Sequence, residues 1–361
     1  MRANVERKTL AEAAASLERI APTRASQPAY SQVYLRAEDD RLVMRATNGE
    51  LDLELAIPAE VEEAGALAVP ANLFGQLVRS APGERVALRE SGSALELESG
   101  AFATKLTAAD PESFPEPPEV GGEVARIPPQ AMVRAISTVR YAAAHEEYRA
   151  IFRGVQLELY PQRFRAVATD GFRLALYDVE GAGGEEVKLV VPARSADELV
   201  RVAKDASEPL ALRAGSGKLA VEGERFRMVI SLMEGTFPDY QRVIPGEFVL
   251  AARFEAEPFR QAVERLRLLA DRQTQRVDLV FSEGKVTLGT EGEYGQGREE
   301  LVVETEGEVP FEVSYNAQYL IEALKALRGA TRLKLSGAAT PSVITSEEDP
   351  GYRAVVVPLR V

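Results

Sequence analysis

Residues 169–171 read Thr-Asp-Gly between two strand-like runs, and related turns lie about 120 residues before and after them. The earlier turn is Thr47-Asn48-Gly49, and the later one is Thr290-Glu291-Gly292. An Asp-Gly or Asn-Gly pair between alternating runs is first of all a turn signal. The recurrence predicts three structural repeats. It also argues against catalysis at Asp170, because Asn and Glu replace this carboxylate in the other two turns.

Each turn is accompanied by two runs of apolar residues at helical spacing. The first helix of each repeat is predicted at 10–20, 132–143 and 259–270, and the second at 72–79, 195–204 and 316–327. Between the helices, residues alternate between apolar and polar, as in Ala94-Leu95-Glu96-Leu97-Glu98. A period of two with one polar face is typical of half-buried antiparallel sheet. The pattern therefore predicts an α+β fold, with two helices on one face of a sheet in every repeat.

Proline-rich stretches separate the repeats at 114–118 and 237–245. They predict three domains, which comprise residues 1–120, 125–245 and 248–361. Strands at the end of one domain can pair with strands of the next and so cover exposed sheet edges. If the rotation from one domain to the next closes on itself, head-to-tail contacts produce a ring.

Composition excludes several function classes. The chain has no cysteine, so thiolate metal sites and cysteine nucleophiles lack their residues. Its single histidine, His145, would have to carry any serine-histidine or histidine-metal chemistry alone, which removes most hydrolase and metalloenzyme templates. A net charge of -13 argues against broad adhesion to nucleic acid. No run approaches the roughly 18 apolar residues of a membrane span, and no signal-like apolar core follows Met1. We therefore expect a cytoplasmic protein.

Three stretches carry a resemblance to a known family. Residues 169–175 read Thr-Asp-Gly-Phe-Arg-Leu-Ala, 237–245 read Phe-Pro-Asp-Tyr-Gln-Arg-Val-Ile-Pro, and 356–361 read Val-Val-Pro-Leu-Arg-Val. Together with the three repeats, they resemble the bacterial DNA polymerase III beta subunit, the sliding clamp. The resemblance departs at Phe172, where many members carry His, and at the terminus, where Met-Pro-Met-Arg-Leu is familiar. It implies three domains of the DNA-clamp type in a head-to-tail homodimeric ring, with antiparallel sheets outside and two helices per domain lining the hole.

The resemblance also implies a groove for partner peptides between the second and third domains. Proline at 238 and 358 supports an edge or cleft there, because proline is excluded from central strands. The expected groove residues are Arg149, Phe152, Thr169, Gly171, Phe172, Arg173, Leu174, Pro238, Arg242, Val243, Asn316, Tyr319, Val355, Val357, Pro358, Leu359 and Arg360.

Cations recur on the helices of all three repeats, which favours a mildly basic surface toward phosphates. On this ground Arg79, Arg134, Arg140, Arg194 and Arg201 are expected to face DNA. The resemblance adds Arg24, which lies in a loop that matches a family loop reaching toward DNA. Leu73, Phe74 and Leu77 on the second helix are expected near the junction of two chains.

The predicted function is that of a DNA sliding clamp, a processivity factor without catalytic residues, metal or cofactor. Its expected partners are encircled duplex DNA, a second copy of the chain, the replicative polymerase, the clamp loader and repair proteins. Two alternatives remain open on the residues alone. One is a hydrolase that uses two of the 56 acidic residues, and the other is a scaffold repeat protein that does not bind DNA.

Overall fold

The computed structural model describes residues 1–146 and 150–360, and the chain divides into two compact units. One unit comprises Met1–Gln130 and Glu198–Leu232, and the other comprises Ala131–Asp197 and Met233–Val361. Arg149, which was expected to flank the groove, lies outside the described residues. Within the described residues no helix has both the length and the apolar character that a bilayer crossing requires.

The predicted pair of helices is present in each repeat. The helices are α1 Arg7–Glu18, α2 Ala71–Ser80, α3 Pro129–Val139, α4 Ala193–Ala203, α5 Ala256–Arg267 and α6 Ala317–Lys325. Five of the predicted runs extend past the helix end, and the excess is largest where α3 gives way to a 3-10 turn at Arg140–Ala142 and where α5 ends at Arg267. Ala143 is nevertheless fully buried. Apolar periodicity reports which side chains are buried, and it does not report where the backbone stops being helical.

The remaining chain is mostly antiparallel strand. The strands are β1 Arg2–Glu6, β2 Gln32–Glu38, β3 Arg41–Thr47, β4 Leu51–Pro58, β5 Glu60–Glu63, β6 Gly65–Pro70, β7 Arg85–Glu90, β8 Ala94–Ser99, β9 Phe102–Thr107, β10 Glu123–Ile127, β11 Gly154–Tyr160, β12 Arg163–Thr169, β13 Arg173–Glu180, β14 Gly183–Gly184, β15 Val187–Pro192, β16 Leu210–Gly215, β17 Lys218–Glu222, β18 Phe226–Ser231, β19 Leu250–Glu255, β20 Arg276–Ser282, β21 Lys285–Gly292, β22 Gly295–Val302, β23 Glu304–Gly307, β24 Phe311–Asn316, β25 Ala330–Leu335, β26 Ser342–Ser346 and β27 Tyr352–Val356. The α+β prediction is confirmed.

The first unit contains two sheets. One has the strand order β5-β1-β7-β8-β9, and the other contains β10-β16-β17-β18-β4-β3-β2-β6. Helix α1 packs beside α2 and against β3 and β4. The side chains that it buries, Leu10, Ala13 and Leu17, are those of the predicted apolar stripe.

The second unit also contains two sheets. One has the order β15-β11-β12-β13-β27-β26-β25-β19-β23, and the other has the order β22-β21-β20-β24. Helix α5 packs beside α6 and against β21. Phe259, Val263 and Leu266 of α5 are buried, as the spacing predicts.

Strands of successive repeats pair directly inside each unit. In the first unit β4 pairs with β18, with Leu53 opposite Met228. In the second unit β13 pairs with β27, with Leu174 opposite Val355. These pairs satisfy backbone groups that would otherwise form exposed edges. The expectation that neighbouring repeats join edge to edge is confirmed at both places.

The first proline-rich linker is held by two buried or half-buried arginines. Arg45 binds Asp52 through two nitrogens, with Nη2 at 2.6 Å from Oδ2, and both side chains are buried. Its Nη1 donates to the carbonyl of Pro115 at 2.7 Å, and Arg227 Nη2 donates to the carbonyl of Pro118 at 2.8 Å. These bonds give the linker a fixed path. The exact domain limits of 1–120, 125–245 and 248–361 remain a prediction.

Candidate functional site

The turn at Thr169–Gly171 is built by its own side chains. Thr169 Oγ1 donates to the carbonyl of Arg173 at 2.7 Å and accepts from Gly171 N at 3.1 Å. Asp170 Oδ1 accepts from Phe172 N at 2.9 Å and from Arg173 N at 3.0 Å. Gly171 has a φ of 89°, a left-handed conformation that glycine adopts at little cost. The Asp170 carboxylate therefore serves the turn, as the sequence predicts.

Arg173 is buried in a cluster of aromatic and acidic side chains. Its Nε lies 3.1 Å from Asp170 Oδ2, and its Nη1 binds Glu322 of α6. Its guanidinium lies 4.6 Å from the ring centre of Tyr319 and 5.5 Å from that of Tyr141. Burial raises the pKa of Tyr141 to about 12, so its hydroxyl stays protonated at neutral pH. Arg173 thus joins β13 to α6 and supports the site from below the surface.

An apolar cluster lies beside this turn. Its buried members are Val167, Leu174, Leu176, Val190, Phe237, Tyr240, Val343 and Val355, and Ile151, Met233 and Ile244 pack against them. The cluster brings together three stretches that are far apart in sequence, namely the turn strand, the second linker and the last strand. Leu174 and Val355 are almost fully buried, so they belong to the floor of the site.

The second linker supplies exposed groups at the same place. It includes a short 3-10 turn, Tyr240–Val243, in which Tyr240 is buried and the Val243 side chain is 49% exposed. Pro238 is half-buried. Arg242 is exposed and pairs with Asp239 at 2.7 Å. The linker therefore offers one apolar side chain and one cation to solvent.

The chain's last residues continue past β27 along the turn. Val357 N donates to the carbonyl of Phe172 at 2.9 Å, and Leu359 N donates to the carbonyl of Ser314 at 2.8 Å. Val357 and Leu359 are half-buried, Pro358 is buried and Arg360 is exposed. Phe172 is 49% exposed. The structure thus places the predicted tail residues directly against the predicted turn.

The flanking residues are held by the same framework. Asn316 Oδ1 caps α6 by accepting from Gln318 N at 2.9 Å, and its Nδ2 donates to the carbonyl of Thr274 at 3.1 Å. Tyr319 reaches the site through Arg173. Phe152 lies in the 3-10 turn Ala150–Arg153, and its carbonyl accepts from Ala144 N at 2.8 Å. Both polar groups of the Asn316 side chain therefore make structural hydrogen bonds, whereas the sequence analysis expected Asn316 as a residue that flanks the groove.

Several members of the site were missed by the sequence analysis. These are Tyr141, Glu322, Glu158, Val190, Met233, Tyr240 and Val343. Tyr240 stands inside the quoted linker stretch, so its aromatic ring among small polar residues was an available signal. The others are brought to the site by tertiary packing and carry no local signal.

Most of the cations that were expected to face DNA are paired with a carboxylate. Within the first unit, Arg79 lies 2.7 Å from Glu18, and Arg201 binds Glu198. Within the second unit, Arg140 lies 2.9 Å from Asp197, and Arg134 binds Asp349. Arg24 and Arg194 are exposed, and no ion pair involves them within residues 1–146 and 150–360. Four of the six cations expected to face DNA therefore have a carboxylate partner that offsets their charge.

The three residues expected at a chain junction differ in exposure. Leu73 is 48% exposed and Leu77 is half-buried, but Phe74 is completely buried in its own unit. In the described part of the chain, β9 and β22 each pair with one neighbour and lie at the end of a sheet. Leu268, just after α5, is 79% exposed, and Val302, at the end of β22, is 89% exposed.

The described residues contain no group of three or more His, Cys, Asp or Glu side chains arranged to hold a metal ion. The carboxylates nearest the site are engaged with backbone nitrogens and arginines, as at Asp170 and Glu322. The arrangement is an apolar surface with a few polar groups.

Family models match the chain along nearly its whole length. They describe the N-terminal domain of the DNA polymerase III beta subunit at residues 1–118, its central domain at 126–239 and its C-terminal domain at 241–360. Among curated relatives, the beta sliding clamp of Caulobacter vibrioides is 30% identical, and that of Escherichia coli is 26% identical. Both alignments cover 100% of each chain.

Solved structures agree with the fold over the same length. A sliding clamp from Pseudomonas aeruginosa bound to griselimycin superposes with a TM-score of 0.94 at 23% identity. The Caulobacter crescentus beta sliding clamp superposes with a TM-score of 0.91 at 28% identity. Each comparison covers 100% of this chain and 100% of the other.

Proposed function

The chain belongs to the DNA polymerase III beta subunit family, and from that premise we propose that it is a DNA sliding clamp and processivity factor. Two copies close head to tail around duplex DNA, and the ring tethers the replicative polymerase, the clamp loader and repair proteins. The observation that carries the proposal is the full-length agreement of all three repeats, in order, with clamps of known structure.

The open sheet edges support the closure of a ring. Strands β9 and β22 come from the first and third repeats, and each leaves one side of its backbone without a strand partner in the described residues. Unpaired edges invite pairing with another chain. Exposed Leu268, near the turn that precedes β22, and exposed Val302, at the end of β22, add apolar area. We place the junction at these edges, with Leu73 and Leu77 nearby and with Phe74 supporting them from the core.

Charge supports retention by topology. The chain has a net charge of -13, and four of the six cations expected to face DNA are bound to carboxylates, so phosphate contacts are few and weak. A ring holds DNA even when contacts are weak, since release requires opening of the ring. Arg24 and Arg194 are the cations best placed for transient contact, because both are exposed.

The apolar surface around Leu174 supports the tethering role. A partner inserts the apolar side chains of a short peptide between the turn, the linker and the chain terminus. Phe172, Val243 and Arg242 lie exposed at this surface. The expected partner-contact residues therefore include the turn, the linker and residues 357–360, while Arg173 and Leu174 act from beneath.

We also propose that the chain has no catalytic activity and works in the cytoplasm without a cofactor. The hydrolase and scaffold alternatives have no comparable support, because the matched family is a clamp family along the whole chain.

The decisive experiment compares a closed circular plasmid with the same plasmid made linear. After loading, the protein should stay on the circle at raised salt and leave the linear form through its ends. The mass in solution should be that of a dimer. Equal persistence on both DNA forms would refute the clamp function.

A further inference from the structure

A row of alternating charge crosses the sheet of the second unit. Glu158 on β11 is the direct neighbour of Arg165 on β12, and Arg165 is the direct neighbour of Asp178 on β13. Arg165 donates from Nε and Nη2 to the two Asp178 oxygens, both at 2.7 Å. Glu158 is fully buried and accepts from Gln156 Nε2 at 2.6 Å. Such a row fixes the positions of several side chains at once.

The second linker attaches to this row through one side chain. The Tyr240 hydroxyl donates to the Glu158 carboxylate, at 3.0 Å from Oε1 and 3.1 Å from Oε2. It also accepts from Arg165 Nη1 at 3.1 Å. Burial raises the pKa of Tyr240, which keeps the hydroxyl protonated and able to donate. The Tyr240 ring packs edge-on against Phe237, with the ring centres 6.5 Å apart.

The backbone bonds of the linker turn are local. Tyr240 N donates to the carbonyl of Pro238 at 2.8 Å, and Ile244 N donates to the carbonyl of Gln241 at 3.3 Å. These bonds shape the turn but do not join it to the sheet. The Tyr240 hydroxyl does so, with additional apolar packing from Phe237 and Ile244.

Stability alone does not account for a buried carboxylate at this position. Apolar side chains in place of a buried ionic network are often neutral or stabilising, because burial of charge is costly. A fully bonded network instead specifies one geometry. The geometry that this network specifies is the position of Tyr240 and, with it, of exposed Val243.

We propose that Glu158 and Tyr240 are positioning residues of the peptide groove, which hold the linker turn Tyr240–Val243 against the sheet in its peptide-accepting conformation. The inference rests on the proposed peptide-binding function of the groove. A turn that is already ordered does not have to be ordered when the peptide binds, so the peptide binds more tightly.

Three variants test the role, with one matched control. Tyr240→Phe keeps the ring and removes the hydroxyl, Glu158→Gln removes the charge, and the third variant carries both changes. Tyr177→Phe is the control, because it also deletes a tyrosine-carboxylate bond from this unit, the 2.8 Å bond to Asp349. The probe is a fluorescein-labelled peptide from the polymerase catalytic subunit, chosen for its binding to the unchanged protein.

Tyr240→Phe should weaken peptide binding by about five- to ten-fold, which is the usual effect of one buried hydrogen bond. Glu158→Gln should weaken it less, by about two- to five-fold, because the amide oxygen still accepts from the Tyr240 hydroxyl. The double variant should be no weaker than Tyr240→Phe, because both changes act on the same link. The control should stay within about two-fold of the unchanged protein. Unchanged affinity in Tyr240→Phe and Glu158→Gln would overturn the positioning role.

A spectroscopic measurement separates positioning from general stability. The chain has no cysteine, so Gln241→Cys gives one site for a nitroxide spin label on the exposed turn. Without peptide, the label should be restricted in the labelled parent and mobile in the labelled Tyr240→Phe variant. The urea unfolding midpoints of these two proteins should be equal. A label equally restricted in both would refute the link. If no partner peptide binds the unchanged protein while the label still responds, the groove function fails and the structural link stands.

Discussion

At the scale of single residues, the repeated turn shows which chemistry the repeats share. Asn48 repeats the role of Asp170, since its Oδ1 accepts from Glu50 N at 2.9 Å and from Leu51 N at 2.8 Å. Asp and Asn both place an oxygen one methylene from the backbone. Glu291 is longer, and in the third repeat Thr290 Oγ1 instead donates to the carbonyl of Arg276 at 2.7 Å. Thr290, Glu291 and Gly292 therefore end strand β21 instead of forming the predicted turn, and the hairpin turn lies between Gly292 and Gly295.

This chemistry predicts unequal effects of substitution at Asp170. Asp170→Ala removes an acceptor from two backbone nitrogens and should lower the free energy of unfolding by about 2 kcal/mol. Asp170→Asn keeps the acceptor, as at Asn48, and should lose about half as much. Urea unfolding at fixed protein concentration measures both values, with Asn48→Asp as a control that should be tolerated. Equal losses for the Ala and Asn variants would contradict the turn argument.

Residue patterns predicted the position of the site better than the role of each side chain. The quoted stretches at 169–175 and 237–245 lie together, as the resemblance implied. Arg173, however, points into a buried cluster whose other members come from α6 and from the turn after α3. Phe74 and Leu73 are adjacent in sequence, yet one is buried and one is exposed. Sequence alone does not show which way Arg173 points or which of the two apolar neighbours is buried, because both depend on tertiary packing.

At the scale of elements, the helices neutralise their own cations. Glu198 of α4 accepts from Arg19 Nε at 2.9 Å and also binds Arg201. Helical periodicity correctly predicted the elements and placed the cations opposite the apolar stripes. It did not predict the pairing, because Arg19 and Glu198 come together only through the fold. The mildly basic surface expected from sequence therefore includes cations whose charge is partly offset by a carboxylate of the same unit.

Release of these cations should strengthen contact with DNA. Glu198→Gln frees two arginines, and the slope of log affinity against log salt should steepen by about one to two counterions. Binding to a short linear duplex across a salt series measures this slope without any contribution from ring closure. The matched control is Glu347→Gln, since Glu347 likewise binds two arginines, Arg253 at 3.0 Å and Arg332 at 2.9 Å, on sheet strands. An equal change in both variants would exclude a DNA-facing α4.

Loss of exposed cations should act in the opposite direction. Replacement of Arg24, Arg79 and Arg194 by alanine should reduce the salt slope by about two, because Arg79 is already paired with Glu18. Retention on circular DNA at raised salt measures the consequence for the clamp. An unchanged slope would mean that these side chains do not face DNA.

The chain terminus is the element most specific to the groove. Removal of residues 358–361 deletes Pro358 and Leu359, whose segment bonds to Ser314, and leaves the β13–β27 pairing in place. Binding of polymerase peptides should fall by at least about 100-fold, since the truncation removes one wall of an apolar pocket. The truncated protein should remain a dimer by sedimentation. Full peptide affinity in the truncated protein would refute the site assignment.

At the scale of the whole molecule, assembly should depend on the ends of the sheets. Val302→Asp and Leu268→Asp place charge on exposed apolar residues near β22, and Leu73→Asp and Leu77→Asp place charge on one exposed and one half-buried residue of α2. Both pairs should convert the dimer to monomer, as measured by sedimentation equilibrium, because an unpaired charge in an interface is costly. The control is Phe248→Asp, because Phe248 is also an exposed hydrophobic residue but belongs to neither pair. If only the β22 pair changes the mass, the α2 assignment is wrong and the edge assignment stands.

The strand pairs between repeats have a consequence for the integrity of the chain. The first and second repeats share the β4–β18 ladder. Arg45 and Arg227 donate hydrogen bonds to the linker on either side of exposed Glu116 and Pro117. If a protease cut the chain between these two hydrogen bonds, the two fragments would therefore stay associated. The peptide bond there is not needed to hold the two repeats together, because the β4–β18 ladder already joins them. The two repeats would therefore be held together by the same contacts whether they were encoded as one polypeptide or as two.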